Sequence, residues 1–108
     1  MSSRYAEARH HAVPTSLSEL TGPTSGVVML PVRLHWGPDN RYDLGDDGDA
    51  AVMYERVIRE AHRVEDLTAY LDADRLRRLW SRLVLPPAVR SLWQSRFPEL
   101  HDSSSAAA

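Results

Sequence analysis

The sequence predicts an α+β fold in which a small β-hairpin segment precedes a compact bundle of about four short helices. Three observations predict it. Apolar and polar residues alternate over residues 27–36, as in a half-buried strand. After residue 49 the apolar residues recur at the spacing of a helix. The chain has 108 residues, 43% of them hydrophobic, which is enough for one domain with one modest core.

We expect that domain to span residues 14–100. Residues 1–13 and 101–108 are polar and lack apolar periodicity, so we expect a disordered N-terminal arm and a disordered tail. No apolar run approaches the ~20 residues of a membrane span, and the N-terminus lacks the apolar segment of a signal peptide. These features predict a cytoplasmic protein that does not bind membranes.

The hairpin prediction rests on alternation and on turn chemistry. The residues expected on the apolar face of the strand at 27–36 are Val28, Leu30, Val32, Leu34 and Trp36. Pro31 removes one ladder donor, which predicts an edge strand or a bulge there. Residues 37–40, Gly-Pro-Asp-Asn, have the composition of a turn, and residues 41–44 return as a short second strand.

The helices are predicted from apolar stripes and from their stop signals. The expected ranges are 52–61, with Asp46, Asp47 and Asp49 at its N-terminal end, then 65–71, then a helix capped by Asp72, and then 87–97. Pro86-Pro87 stops the third helix and opens the fourth, because proline suits the first helical turn.

The sequence contains no recognisable catalytic or metal-binding arrangement. The absence of Cys excludes disulfides, a thiol nucleophile and a Cys-based zinc site. The acidic loop at 39–49 fails the calcium-loop pattern at two ligand positions. His62 has Glu65 and Asp66 at helical spacing, which we interpret as a surface pair, and His35 as a surface residue. We therefore expect a protein that is not an enzyme and that holds no cofactor or metal.

The distribution of charge is more informative than its total of −2. Residues 1–49 hold 4 Arg and 7 acidic residues, whereas residues 50–97 hold 9 Arg and 6 acidic residues. Between residues 75 and 96 there are six Arg and no acid, and the chain has no Lys. Helical geometry places Arg75, Arg78 and Arg82 within about 60° of one another, and Arg90 would extend the basic surface onto the last helix.

Three interpretations of this arginine-rich segment stay open at the level of sequence. The helices could form a helix-turn-helix that reads DNA, although residues 71–73 match its usual turn poorly. The segment could instead be a solvated face whose arginine stems cover the edge of the core. It could also bind an acidic protein partner.

The three tryptophans all fall on predicted apolar faces, so we expect Trp80 and Trp93 in the core. Trp36 ends an edge strand beside a turn, and we name it as a candidate anchor for a partner, through strand addition or a pocket.

The sequence as a whole also resembles a known group of proteins. The resemblance is carried by Pro14-Thr15-Ser16-Leu17-Ser18-Glu19-Leu20-Thr21-Gly22-Pro23-Thr24-Ser25-Gly26-Val27-Val28, Tyr42-Asp43-Leu44, Tyr54-Glu55-Arg56-Val57-Ile58-Arg59-Glu60, Leu79-Trp80, Val89-Arg90-Ser91-Leu92-Trp93 and Phe97-Pro98-Glu99-Leu100. Over residues 14–100 the chain is similar to small actinobacterial proteins associated with AbiEii/AbiGii-type nucleotidyltransferase toxins.

What the resemblance implies is an antitoxin, or an accessory partner, of such a toxin. We hypothesise that the partner is contacted through Arg75, Arg78 and Arg82, with Arg90 and Trp36 as further contact residues. The alternative hypothesis is a helix-turn-helix-like transcriptional regulator that binds DNA.

Overall fold

A two-stranded antiparallel hairpin precedes the helices in a computed structural model that describes residues 12–35 and 37–100. The strands are β1 (Val27–Met29) and β2 (Arg41–Asp43), and the α-helices are α1 (Asp47–Glu60), α2 (Val64–Tyr70), α3 (Ala73–Leu79) and α4 (Pro87–Arg96). Two 3-10 turns occupy Leu17–Glu19 and Trp80–Arg82. The predicted α+β class is confirmed.

The expected strand at 27–36 is shorter than the alternation suggests. The ladder ends where the Leu30 N–H donates to the carbonyl of Asn40 over 3.0 Å. Pro31 follows and has no N–H with which to continue. Pro31 thus indicates correctly where β1 ends, whereas the alternation of apolar residues continues to residue 36 and predicts too long a strand.

Beyond β1 the chain turns instead of extending. The carbonyl of Pro31 accepts from the N–H groups of Leu34 (2.9 Å) and His35 (3.0 Å). This helix-like spacing buries Leu30 and Leu34 together and leaves Val32 70% exposed. The expectation that Val32 shares their buried face is therefore wrong. The prediction for Trp36 lies outside the described residues, as do those for residues 1–11 and 101–108.

The helix starts follow the capping chemistry of the sequence. The side chain of Asp46 accepts from the N–H of Gly48 (3.2 Å) and starts α1 five residues earlier than its apolar stripe does. The side chain of Asp72 accepts from the N–H of Arg75 (3.0 Å) and caps α3, as predicted. Helix α4 has Pro87 in its first turn, also as predicted.

The N-terminal segment packs across the junction of α2 and α3. Thr21 forms an isolated antiparallel bridge with Asp72, and the N–H of Gly22 donates to the carbonyl of Leu71 over 2.7 Å. A Cβ at position 22 would lie 2.6 Å from the carbonyl carbon of Tyr70, so only glycine allows this close approach. Ahead of this segment, Ala12 packs against the core, two residues before the expected boundary of the domain.

A single hydrophobic cluster joins these elements. Its fully buried members of largest volume are Trp80, Trp93, Tyr54, Leu30, Leu34, Leu44, Met53, Ile58, Leu67, Leu71, Leu76 and Leu100. Trp80 and Trp93 are therefore core residues, as predicted, with ring centroids 6.3 Å apart. Among the described residues, no helix has the length and apolar character needed to cross a membrane.

Candidate partner-binding surface

Arg75, the first member of the predicted basic surface, points into the protein. Its guanidinium donates to the carbonyl of Leu44 (2.6 Å), to the carbonyl of Thr24 (3.2 Å) and to the carboxylate of Asp47 (2.9 Å). The side chain is only 9% exposed. The expectation that Arg75 lies on an exposed surface is therefore wrong: it fastens α3 to the exit of the hairpin and to the start of α1.

Arg90 is also engaged within the fold. Its guanidinium donates to the carbonyls of Leu83 and Trp80 and lies 4.8 Å from the centre of the Trp80 ring. Burial lowers the pKa of Arg90 below its ordinary value. Arg90 thus holds the chain between α3 and α4 in place and does not extend a free basic surface.

Arg78 and Arg82 are the exposed members of the predicted set. The guanidinium of Arg78 makes no hydrogen bond or ion pair with any residue that the structure describes. Arg82 lies 3.9 Å from the carboxylate of Asp47, which is itself exposed. Arg78 lies in the last turn of α3 and Arg82 ends the 3-10 turn that follows it directly, so the two arginines are four residues apart on one continuous helical segment.

The rest of the exposed face of α3 has mixed charge. Asp74 is 88% exposed and accepts a hydrogen bond from Arg77 over 2.6 Å. Arg77 also lies 4.0 Å from the carboxylate of Glu99. The basic surface left by these pairings is the pair Arg78 and Arg82, which we call the arginine pair.

A charge network that the sequence analysis missed joins the chain after β1 to α2. The buried carboxylate of Asp66 accepts from Arg33 at 2.6 and 3.4 Å and from Arg63 at 3.4 Å. The hydrogen bond from Arg33 is the main reason that the pKa of Asp66 lies below its ordinary value. Asp66 is therefore buried, and the expectation that it lies at the surface is wrong. Because 33 residues separate Arg33 from Asp66, no spacing rule signals this contact.

His35 is likewise less exposed than predicted. It is half-buried, and its Nδ1 shares a hydrogen bond with the hydroxyl of Tyr42. Tyr42 is buried on the inner side of β2, and this burial raises the pKa of its hydroxyl. The contact between His35 and Tyr42 packs the turn after β1 against the hairpin. The expectation that His35 is a surface residue is therefore wrong.

Asp43 and Asp49, near the start of α1, accept hydrogen bonds from backbone N–H groups. Asp43 accepts from the N–H of Gly45, and Asp49 accepts from the N–H of Asp43, each over 2.9 Å. Within residues 12–35 and 37–100 no group of three or more His, Cys, Asp or Glu side chains could hold a metal ion.

Comparison with known proteins adds no relative. No protein-family model matches the chain, and neither a curated protein nor a solved structure is significantly similar to it.

Proposed function

We propose that the protein is a non-catalytic binding module that acts as the antitoxin or accessory partner of a nucleotidyltransferase-type toxin. The proposal starts from the sequence resemblance. The observation that carries it is the arginine pair: two exposed arginines four residues apart on one helical segment, whose guanidinium groups internal contacts leave largely unsatisfied. Planar guanidinium forks bind carboxylates and phosphates through paired N–H donors, which suits recognition of an acidic protein surface.

The chemistry of the expected partner suits this surface. A nucleotidyltransferase positions a nucleoside triphosphate with a metal ion held by carboxylates, so the mouth of its active site presents acidic side chains. Arg78 and Arg82 would donate hydrogen bonds to such carboxylates. A module bound there would also exclude the triphosphate, and this would inhibit the toxin without any chemistry by the module itself.

Asp47 leaves Arg82 available to an incoming carboxylate. The separation of 3.9 Å between them is long, and Asp47 already forms a shorter pair of 2.9 Å with Arg75. Exposed ion pairs contribute only about 0–1 kcal/mol, so replacing Asp47 at Arg82 by a partner's carboxylate costs little. Arg82 can therefore exchange partners while the bond between Arg75 and Asp47 keeps α3 in place.

The test is copurification with the nucleotidyltransferase encoded by the neighbouring gene. We expect the wild-type protein to copurify with it, and the double variant Arg78→Glu/Arg82→Glu to lose most of that binding. The matched control is Arg59→Glu/Arg96→Glu, which makes the same change of charge at two other exposed arginines without partners in the described structure. A neighbouring gene that encodes no such enzyme, or equal binding by both double variants, would contradict the proposal.

DNA binding is the competing hypothesis, and the same surface argues against it. The recognition helix of a helix-turn-helix contacts bases with its N-terminal residues. In the first turn of α3 the carboxylate of Asp74 already pairs with Arg77, and Arg75 is buried, so this turn offers no exposed cation to a phosphate. We expect no gel shift with a fragment of the protein's own promoter at low salt. A shift that weakens steeply as salt rises would favour the DNA-binding hypothesis instead.

A further inference from the structure

Strand β1 pairs with β2 along one edge and leaves its other edge open. The N–H of Leu30 points toward β2, since it donates to the carbonyl of Asn40 over 3.0 Å. Backbone groups alternate in direction along an antiparallel strand, so the N–H and C=O groups of Val28 also point toward β2. The N–H and C=O groups of Val27 and Met29 therefore point away from β2.

Those outward groups have no partner in the described structure. Neither Val27 nor Met29 makes a backbone hydrogen bond on that side, and their side chains are 56% and 62% exposed. The open edge is short because Gly26, with a positive φ of 86°, precedes it and Pro31 follows it. Two aliphatic side chains and two unpaired peptide groups thus lie together at the surface.

We propose that this edge pairs with the same edge of a second copy of the chain. The strands run antiparallel about a two-fold axis at Val28, so that Val27 of each copy lies opposite Met29 of the other. Each of these two residue pairs then exchanges two N–H···O=C bonds, as hydrogen-bonded pairs of an antiparallel ladder do. The two hairpins form one four-stranded sheet with an isologous interface.

The charges on β2, one strand behind the open edge, favour a second copy over a uniformly charged partner strand. On the same exposed face, Arg41 lies next to Met29, and Asp43 lies next to Val27. The two-fold axis turns the basic end of each hairpin toward the acidic end of the other. In the four-stranded sheet Arg41 of each copy shares a cross-strand row with Asp43 of the other copy, three strand spacings or about 14 Å away, so the attraction is weak but favourable at both ends. A uniformly charged partner strand would be attracted at one end and repelled at the other.

The pairing is weak because the edge is short. A stable interface needs on the order of 1,000 Å² of buried surface, and a three-residue strand supplies only part of that. We therefore expect a monomer at low concentration and a reversible dimer as the concentration approaches about 1 mM.

Sedimentation over a range of concentrations tests the register with two matched variants. In Val27→Lys/Met29→Lys the introduced lysines face one another across the axis, whereas in Val27→Glu/Met29→Lys each introduced glutamate faces an introduced lysine. Both variants change the same two exposed positions, and circular dichroism checks that both fold. We expect the wild-type protein and the glutamate–lysine variant to dimerise, and the double-lysine variant to stay monomeric.

Two results would overturn the proposal. One is a wild-type protein that stays monomeric up to about 1 mM; the other is the same association by both variants. Amide exchange provides a second readout, because the Val27 and Met29 amides should become protected only at high concentration. If the wild-type protein stays monomeric and the double-lysine change instead abolishes copurification with the neighbouring nucleotidyltransferase, the edge binds that protein and not a second copy.

Discussion

The buried guanidinium of Arg75 on α3 and the exposed carboxylate of Asp47 at the start of α1 form an ion pair of 2.9 Å. The same carboxylate lies 3.9 Å from Arg82. Asp47 therefore stands between an arginine that holds the fold together and one that faces solvent. Because Arg75 is buried and Arg82 is exposed, only Arg82 of these two arginines is accessible to a partner.

Replacing Arg75 should destabilise the protein. Arg75→Met keeps the stem but leaves the buried carbonyl of Leu44 without its donor, and we expect a loss of about 3 kcal/mol in the free energy of unfolding. The matched control, Arg78→Met, removes an exposed arginine and should change that free energy by less than about 0.5 kcal/mol. Urea denaturation measures both, and equal effects would show that Arg75 has no structural role.

The network at Asp66 predicts an acid-sensitive contribution to stability. Its carboxyl pKa is lower in the folded chain than the value of about 4 expected on unfolding, chiefly because of the hydrogen bond from Arg33. The unfolded chain therefore binds more protons in this range, so the contribution is complete above about pH 4 and is lost as the pH falls through the folded pKa.

The variant Asp66→Asn isolates this contribution. We expect the difference in unfolding free energy between wild type and Asp66→Asn to be largest at neutral pH and to shrink below about pH 4. Asp39→Asn, at an exposed position, is the control and should give a small difference at every pH. Guanidinium denaturation at pH 7, 4 and 3 measures both differences. A difference for Asp66→Asn that does not change with pH would contradict the assignment.

Gly22 should tolerate no side chain. In Gly22→Ala the new Cβ would lie 2.6 Å from the carbonyl carbon of Tyr70 and 2.7 Å from the amide nitrogen of Leu71, so backbone must move. We expect a loss of about 3 kcal/mol in the free energy of unfolding. Gly48→Ala is the control, because its Cβ would meet only ordinary contacts at 3.6 Å from Asp46 in the first turn of α1. Thermal unfolding should separate the two variants clearly.

The guanidinium of Arg90, which lies over the Trp80 ring, should stabilise the chain between α3 and α4. Arg90→Met removes the guanidinium 4.8 Å from the ring centre and its hydrogen bond to the carbonyl of Leu83. We expect a loss of about 2 kcal/mol together with a change in tryptophan fluorescence. Arg96→Met, at an exposed arginine of the same helix, should leave both quantities unchanged. A stable Arg90→Met variant with unaltered fluorescence would rule out this role.

The elements that the sequence predicts correctly are those determined by contacts between residues close together in the chain. Asp46, Asp72 and Pro87 act at helix starts through local backbone geometry, and the sequence shows them directly. The strand prediction failed after Met29 for a comparable reason. Alternating apolar residues match the pattern of a strand, but the missing N–H of Pro31 ends the ladder and lets the chain turn.

The site was less predictable because its decisive contacts join distant segments. Helical periodicity places Arg75, Arg78 and Arg82 near one another but does not say which of them meets the hairpin. The carbonyl that Arg75 reaches belongs to Leu44, 31 residues away. Only the packing of α3 against the exit of β2 separates the buried arginine from the two exposed ones.

The most direct test of the proposed function is the affinity of the protein for the proposed nucleotidyltransferase partner, measured calorimetrically at low and at high NaCl. If the arginine pair binds an acidic mouth, Kd should rise with salt, because screening weakens exposed charge contacts. The variant Arg78→Glu/Arg82→Glu should bind more weakly and lose most of this salt dependence. An absence of binding, or an affinity that neither salt nor the charge reversal changes, would contradict the account.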